Sequence, residues 1–417
     1  MASYKELAKK PGVVARKDGD VEAAFASAAK IIEADYEFPY LAHASMEPLN
    51  CVVQISDGAC EVWNGEQFQA IDAPSIAAAA GVPINKVKIN VLYAGGSFGR
   101  RANPAADYLV ETVAIAKTAN TEAPVKLVWT REEDTRGGYY RPMYFHKLKA
   151  GVDAQGNIVA WQHRIVGQPI SAGAGLDQNS VEGASNLPYA IPNLLVDLHT
   201  TKVGVPTQWW RSVGSTHTAF STECFLDEIA HATKKDPIEL RRALLAKHPR
   251  HLAVLNLAVE KAGWNRPAAA GKMRGIAVHE SFKSYVAQAA EVSRTAGGFK
   301  LERVVCVVDC GIAVNPNIVA MQMESGIGYG LSAAINGAIT LKDGRVEQSN
   351  FHDYPVLRMN QMPKIEVHIV PSTQSPTGVG EPGTPPIAPA LVNALNSSGN
   401  KPIRSLPLSA QKIVVNA

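Results

Sequence analysis

Gly378-Val379-Gly380-Glu381-Pro382-Gly383-Thr384-Pro385-Pro386-Ile387-Ala388-Pro389-Ala390, running into Leu391-Val392-Asn393-Ala394-Leu395, sets one carboxylate between glycines and prolines at the mouth of an apolar helix. Gly378 and Gly380 permit φ > 0 and close backbone approach, while the prolines fix the chain and withdraw N–H donors. A carboxylate held rigidly among apolar neighbours has a raised pKa, which suits a general base. Glu381 could equally cap the helix that follows, where the dipole favours negative charge. Local physics alone favours the cap. The base reading depends on what the rest of the chain brings to it.

Upstream of that turn, strands and helices alternate. Runs 275–280, 301–308 and 365–370 read as strands, and 310–316 turns into a helix over 318–336. That helix carries Gln322, Glu324, Gly326, Gly328, Tyr329 and Gly330, a glycine-rich face that a ligand or a second helix can approach closely. Further back, a strand over 87–93 empties into Ala94-Gly95-Gly96-Ser97-Phe98-Gly99-Arg100-Arg101 before a helix over 104–117. Backbone amides in such a turn can meet an anion or an oxo group, or the turn can be a tight structural loop. Its own residues leave both open. Trp209-Trp210-Arg211-Ser212-Val213-Gly214-Ser215-Thr216-His217-Thr218 opens a helix that runs through Ile229, and Asp236-Pro237 starts the next with N-cap and first-turn proline in order. Ser212, Ser215 and His217 suggest a hydrolase constellation, but hydroxyls at a helix opening ordinarily cap it.

The first part of the chain reads as an acidic-led amphipathic helix over 20–33, a strand-like run over 34–40, strands over 51–55 and 60–63, and a helix over 73–80 closed by Gly81. From 125 to 166 the pattern is β-rich, and 167–191 reads as a long loop or lid. At 417 residues, 46% hydrophobic and 19% charged, the chain is expected to fold as two or more packed units. Its net charge of +3 argues for neither nucleic acid nor an acidic membrane surface as partner. No apolar run reaches membrane-spanning length, and no charged-then-apolar leader opens the sequence. Cys51, Cys60, Cys224, Cys306 and Cys310 are too scattered for a disulfide framework, a zinc pair or an iron–sulfur ligand set.

Four stretches taken together carry a resemblance: Ala44-Ser45-Met46-Glu47-Pro48-Leu49-Asn50, Gly95-Gly96-Ser97-Phe98-Gly99-Arg100-Arg101, Trp210-Arg211-Ser212-Val213-Gly214-Ser215, and Gly378-Val379-Gly380-Glu381-Pro382. In this order and spacing the chain resembles the molybdenum-binding subunit of the xanthine dehydrogenase and aldehyde oxidase family, nearest to the isoquinoline 1-oxidoreductase type. The motifs are specific jointly rather than singly. The resemblance implies an α+β fold of mixed sheets with packed helices, in two units meeting at a crevice: 1–265, incomplete at its N-terminal side, and 266–417, carrying the catalytic glutamate.

The resemblance also implies roles. Glu381 takes the place of the base that deprotonates a hydroxyl on molybdenum, and Arg211 that of an arginine orienting or polarising substrate. Phe98 and Gly99 fall where backbone amides face the metal's oxo ligand, and Gly96 and Arg100 of the same turn are carried over as cofactor-binding. Gln322 matches a glutamine on the dinucleotide tail of the pterin, with Gly326 and Gly330 on the helix beside it. No side chain is expected to ligate the metal, which the pterin holds. The implied cofactor is molybdopterin cytosine dinucleotide with molybdenum; two-iron two-sulfur clusters would lie on a partner subunit only. Ser97, Arg100-Arg101 and Tyr329 depart from the xanthine dehydrogenase pattern, and Gly-Arg-Arg marks the isoquinoline-type branch.

The family's subunit has a long segment before the equivalent of Tyr4, so a second chain is expected to supply that front, alongside an iron–sulfur small subunit and a small-molecule substrate. A bacterial cytoplasmic or exported complex is implied. The expected activity is oxidative hydroxylation of an N-heteroaromatic ring or an aldehyde with water as oxygen source. A different class of function stays open: a cofactor-free fragment or paralogue that keeps the fold as a binding or assembly module.

Overall fold

The computed structural model describes residues 1–170, 175–399 and 401–416. Residues 171–174 of the expected 167–191 loop lie outside that description; its remainder includes a short helix, Gln178–Val181. The architecture is α+β with mixed sheets, as the resemblance implies. One five-stranded sheet runs in the order Val13–Asp18, Leu194–Thr200, Ile158–Gly167, Tyr144–Val152, Lys30–Phe38, its second pair parallel and the others antiparallel. A second sheet orders Lys272–Ser281, Ser284–Thr295, Gly298–Asp309 and Lys364–Ile369, with Val415–Asn416 joining the third strand. Helices Ser215–Thr233 and Ile387–Asn396 are buried against these sheets, and one apolar core runs across residue 265 with members from both sides.

A smaller core stands apart. Strands Val87–Val91, Ala59–Asn64, Asn50–Ser56 and Val125–Val128 pack on helices Gln69–Ala80 and Asp107–Ala119. This layer carries the 94–101 turn.

The helix expected over 20–33 is shorter. Asp20 caps it, accepting from Ala23 N at 3.1 Å, but it ends at Ser27, and Lys30–Phe38 forms the edge strand against Tyr144–Val152. Strand pairing there outweighs the helical spacing, as sheet context routinely does. Strands Val13–Asp18 and Ser284–Thr295 and helix Ala2–Leu7 carry no expectation from the sequence. All five cysteines are free and buried.

Candidate functional site

Four distant segments meet around one cavity of about 820 Å³, whose wall includes Phe98, Gly99, Trp209, Arg211, Gln322 and Glu381. A second cavity of about 670 Å³ adjoins it, sharing Phe98, Trp210 and Ser325 and lined also by Gly96, Met46 and Tyr329. The 94–101 turn is the hub. Gly96 and Gly99 adopt φ of +104° and +111°, and a Cβ on Gly99 would sit 2.5 Å from the Trp209 carbonyl oxygen, so only glycine fits. Phe98 holds φ +55°, a conformation that costs a bulky residue energy and persists only where the surroundings impose it.

The surroundings do impose it. Glu47 Oε2 accepts from Gly95 N at 2.7 Å and from Arg101 at 3.1 Å, and Arg211 N donates to Phe98 O at 2.9 Å. The Phe98 ring stacks on Tyr329 at 4.2 Å, and Tyr329 stacks in turn on Trp210 at 4.6 Å. The Tyr329 hydroxyl donates to His43 O at 2.8 Å. Two of the four motif stretches and the 316–336 helix are thus locked through one sandwich of rings, and Glu47 ties a third stretch to the turn. Ser97, the departure in the turn, donates to Gln67 and accepts from Arg101 N at 3.1 Å.

Glu381 does not cap the helix after it. Helix Ile387–Asn396 has Pro386 at its N-cap and no side-chain cap bond. Glu381 Oε1 instead accepts from Ser212 N at 2.9 Å, while its carbonyl accepts from Ser212 Oγ at 2.7 Å. Burial raises the Glu381 carboxyl above its ordinary range, against the opposing pull of the Ser212 N–H and the Arg211 charge. Buried Arg211 donates through Nε to Gly380 O at 2.7 Å, through Nη1 to Ser325 Oγ at 3.0 Å and through Nη2 to Gln322 Oε1 at 3.0 Å. It therefore fastens the Glu381 loop to the 316–336 helix.

Three residues expected to contact the cofactor line neither of these cavities. The Arg100 guanidinium binds Asp107 at 2.6 and 3.2 Å and lies over the Trp129 and Tyr139 rings. Gly326 and Gly330 do allow close approach, but of protein rather than of ligand. A Cβ on Gly326 would meet Gly383 at 3.0 Å, and one on Gly330 would meet Ile387 at 2.6 Å and Thr384 O at 2.7 Å. Nor does a hydrolase constellation form, since Ser212 bonds to Glu381 while His217 joins a buried chain with His146 and His163.

One cavity residue carries no signal in the sequence. Glu182 sits in the 167–191 segment and accepts from Gly214 N at 2.7 Å. Among the described residues, no group of three or more His, Cys, Asp or Glu could hold a metal ion, and no helix is long and apolar enough to cross a membrane.

Comparison with known proteins gives a consistent result. Residues 6–245 and 242–363 each match a molybdopterin cofactor-binding domain. The beta subunit of isoquinoline 1-oxidoreductase from Brevundimonas diminuta is 32% identical over 381 residues, covering 88% of this chain and 48% of that protein. A membrane-bound aldehyde dehydrogenase (pyrroloquinoline-quinone) from Gluconacetobacter polyoxogenes is 29% identical over 96% of this chain and 56% of its own length. The chain therefore spans about half the length of these curated relatives. The crystal structure of quinoline 2-oxidoreductase from Pseudomonas putida 86 superposes with a TM-score of 0.81 at 14% identity, over 95% of this chain and 77% of that one, which establishes a shared fold.

Proposed function

The chain belongs to the molybdopterin cofactor-binding domain family, that of the molybdenum-binding subunits of xanthine dehydrogenase type, and on that premise we propose that it is the part of a molybdenum hydroxylase that carries the base. The reaction is oxidative hydroxylation of an N-heteroaromatic ring or an aldehyde, with water as the oxygen source. Electrons pass to two-iron two-sulfur clusters on a partner subunit, and a further chain or segment supplies what the longer relatives have in addition. The carrying observation is the meeting of Glu381, Arg211 and the Phe98–Gly99 turn around one cavity.

The residues fit the group. The amides of Phe98 and Gly99 donate to no acceptor among the described residues, and the buried Trp209 Nε1 in the same wall also lacks a partner. Free donors of that kind suit oxo and phosphate oxygens. Gly96, Phe98, Gly99 and Gln322 would hold the cofactor, as its cytosine dinucleotide form, between a first unit, 1–265, and a second, 266–417. When bound, it supplies a Lewis acid and a two-electron acceptor.

The chain's own residues do the rest. Glu381 Oε1 is held by Ser212 N, so Oε2 is the oxygen that takes the proton from the water-derived nucleophile. Its raised pKa makes it a stronger base than an exposed carboxylate. Arg211 keeps Glu381 in place through Gly380 and presents positive charge to the cavity wall.

The test is Glu381→Gln in the assembled enzyme. Loss of general-base catalysis should lower turnover by roughly a hundred- to ten-thousand-fold with molybdenum content unchanged. Substrate should bleach the oxidised variant slowly, which locates the loss in the reductive half-reaction. Near-normal turnover with full metal would remove Glu381 as the base. An isolated complex without molybdenum, by metal analysis and visible spectrum, would instead favour the assembly-module reading.

A further inference from the structure

Two carboxylates share the 820 Å³ cavity, Glu381 and Glu182. They also share a turn. Ser212 N donates to Glu381 Oε1 at 2.9 Å; two residues on, Gly214 N donates to Glu182 Oε1 at 2.7 Å and Ser215 N follows at 3.3 Å. Between these amides Ser212 and Val213 both hold positive φ, 78° and 50°. Successive N–H groups of such a turn make a concavity for negative charge, and here two anions occupy it.

The charges around the pair are unequal. Glu381 faces Arg211, while the charges acting on Glu182 are those of Glu381 and Asp177, both acidic. Resting on the reading of Glu381 as the base, we infer that Glu182 and Glu381 form one coupled pair across this turn, with Glu182 the positioning residue that holds the pair's last proton beside the base. Neither residue of a coupled pair loses its proton independently; the two steps belong to both. Burial first, and the Glu381 charge in addition, push the Glu182 carboxyl up to about 7, partly opposed by the Ser215 and Gly214 amides. The pair consequently holds at least one proton through the mildly acidic range. It is fully ionised only above that.

The pair can be read without turnover, by pH titration of the protonated-carboxyl infrared band in the whole chain, followed in wild type, Glu182→Gln and Glu381→Gln. Both variants keep an Oε1 acceptor for the turn amides. Wild type should show two steps from the pair. Glu182→Gln should abolish the upper one and leave a single step at lower pH. Glu381→Gln should move the Glu182 step down by roughly one pH unit, because the like charge is gone. In the assembled enzyme, the acidic side of the kcat/KM profile should lose its upper inflection in Glu182→Gln.

A Glu182 step that stays in place in Glu381→Gln overturns the pair, even if turnover collapses, and the base then stands alone. A shifted step with normal turnover in the same variant keeps the pair and removes the base. If Glu182→Gln fails to fold, the Glu381→Gln titration decides by itself.

Discussion

Arg211 shows how much of this site depends on the shape of one side chain. Its planar fork reaches Gly380 O, Ser325 Oγ and Gln322 Oε1 at once, and a lysine ammonium on the same stem offers a point charge that cannot span them. Arg211→Lys should therefore raise the Michaelis constant or lower turnover at least tenfold while leaving molybdenum content intact; unchanged kinetics would remove it from the site. Freed buried acceptors should also cost about 1–3 kcal/mol, read as a lowered melting temperature. Glu182 has the opposite sign. Its pKa is raised in the fold, so its contribution to stability is fully present below the ordinary carboxyl range near 4.5 and is lost as pH rises to about 7. Glu182→Gln should thus melt progressively higher than wild type across that window, by up to about 3 kcal/mol at its upper end. A pH-independent difference in melting would contradict the raised pKa.

At the level of elements, packing decides what local pattern leaves open. The strand-to-turn junction at 94–101, the helix opening after Arg211 and the long helix ending at Asn336 are legible because glycines, caps and apolar spacing coincide there. Asp20 is legible as a cap, but the end of its helix is not, because edge pairing with Tyr144–Val152 lies far away in sequence. Arg100 is legible in position but not in partner for a related reason: a motif gives its place, and only the fold reveals Asp107 waiting for its guanidinium. Glu182 is invisible beforehand, since nothing near it in sequence specifies that Gly214 and Ser215 will face it.

The glycines of helix Pro316–Asn336 are legible as points of close approach, though not for what approaches. Gly330→Ala tests that assignment. Its Cβ would enter the space of Thr384 O and Ile387, so we expect about 1–3 kcal/mol of destabilisation and, because the same segment carries Glu381, a loss of turnover larger than the stability change explains. An alanine variant with wild-type melting and rate would show that the loop yields freely.

Over the whole molecule, the two cavities open beside exposed apolar side chains. Met46 and Met321 line the smaller cavity at 67% and 60% exposure, and Tyr93 and Met359 stand almost fully clear of the surface. Exposed apolar side chains at the rim of a cavity suit the docking of another chain. We expect the chain to be isolated with at least one other polypeptide, and its exposed methionines to be protected from oxidation in that complex. A stable monomer by light scattering, with no partner in native pull-downs, would count against this.

The ring sandwich of Phe98, Tyr329 and Trp210, tied through Arg211 to the Gly380 carbonyl, also has a consequence in time. Its members are separated by more than a hundred residues at each step, so no local folding event can build any part of it. As the chain leaves the ribosome, the 94–101 turn and the Arg211 segment emerge well before the helix and loop that complete the wall, and non-local contacts of this kind form slowly. Until the Gly380 loop has been made, the turn has no roof, and a nascent chain stalled short of it should bind no cofactor.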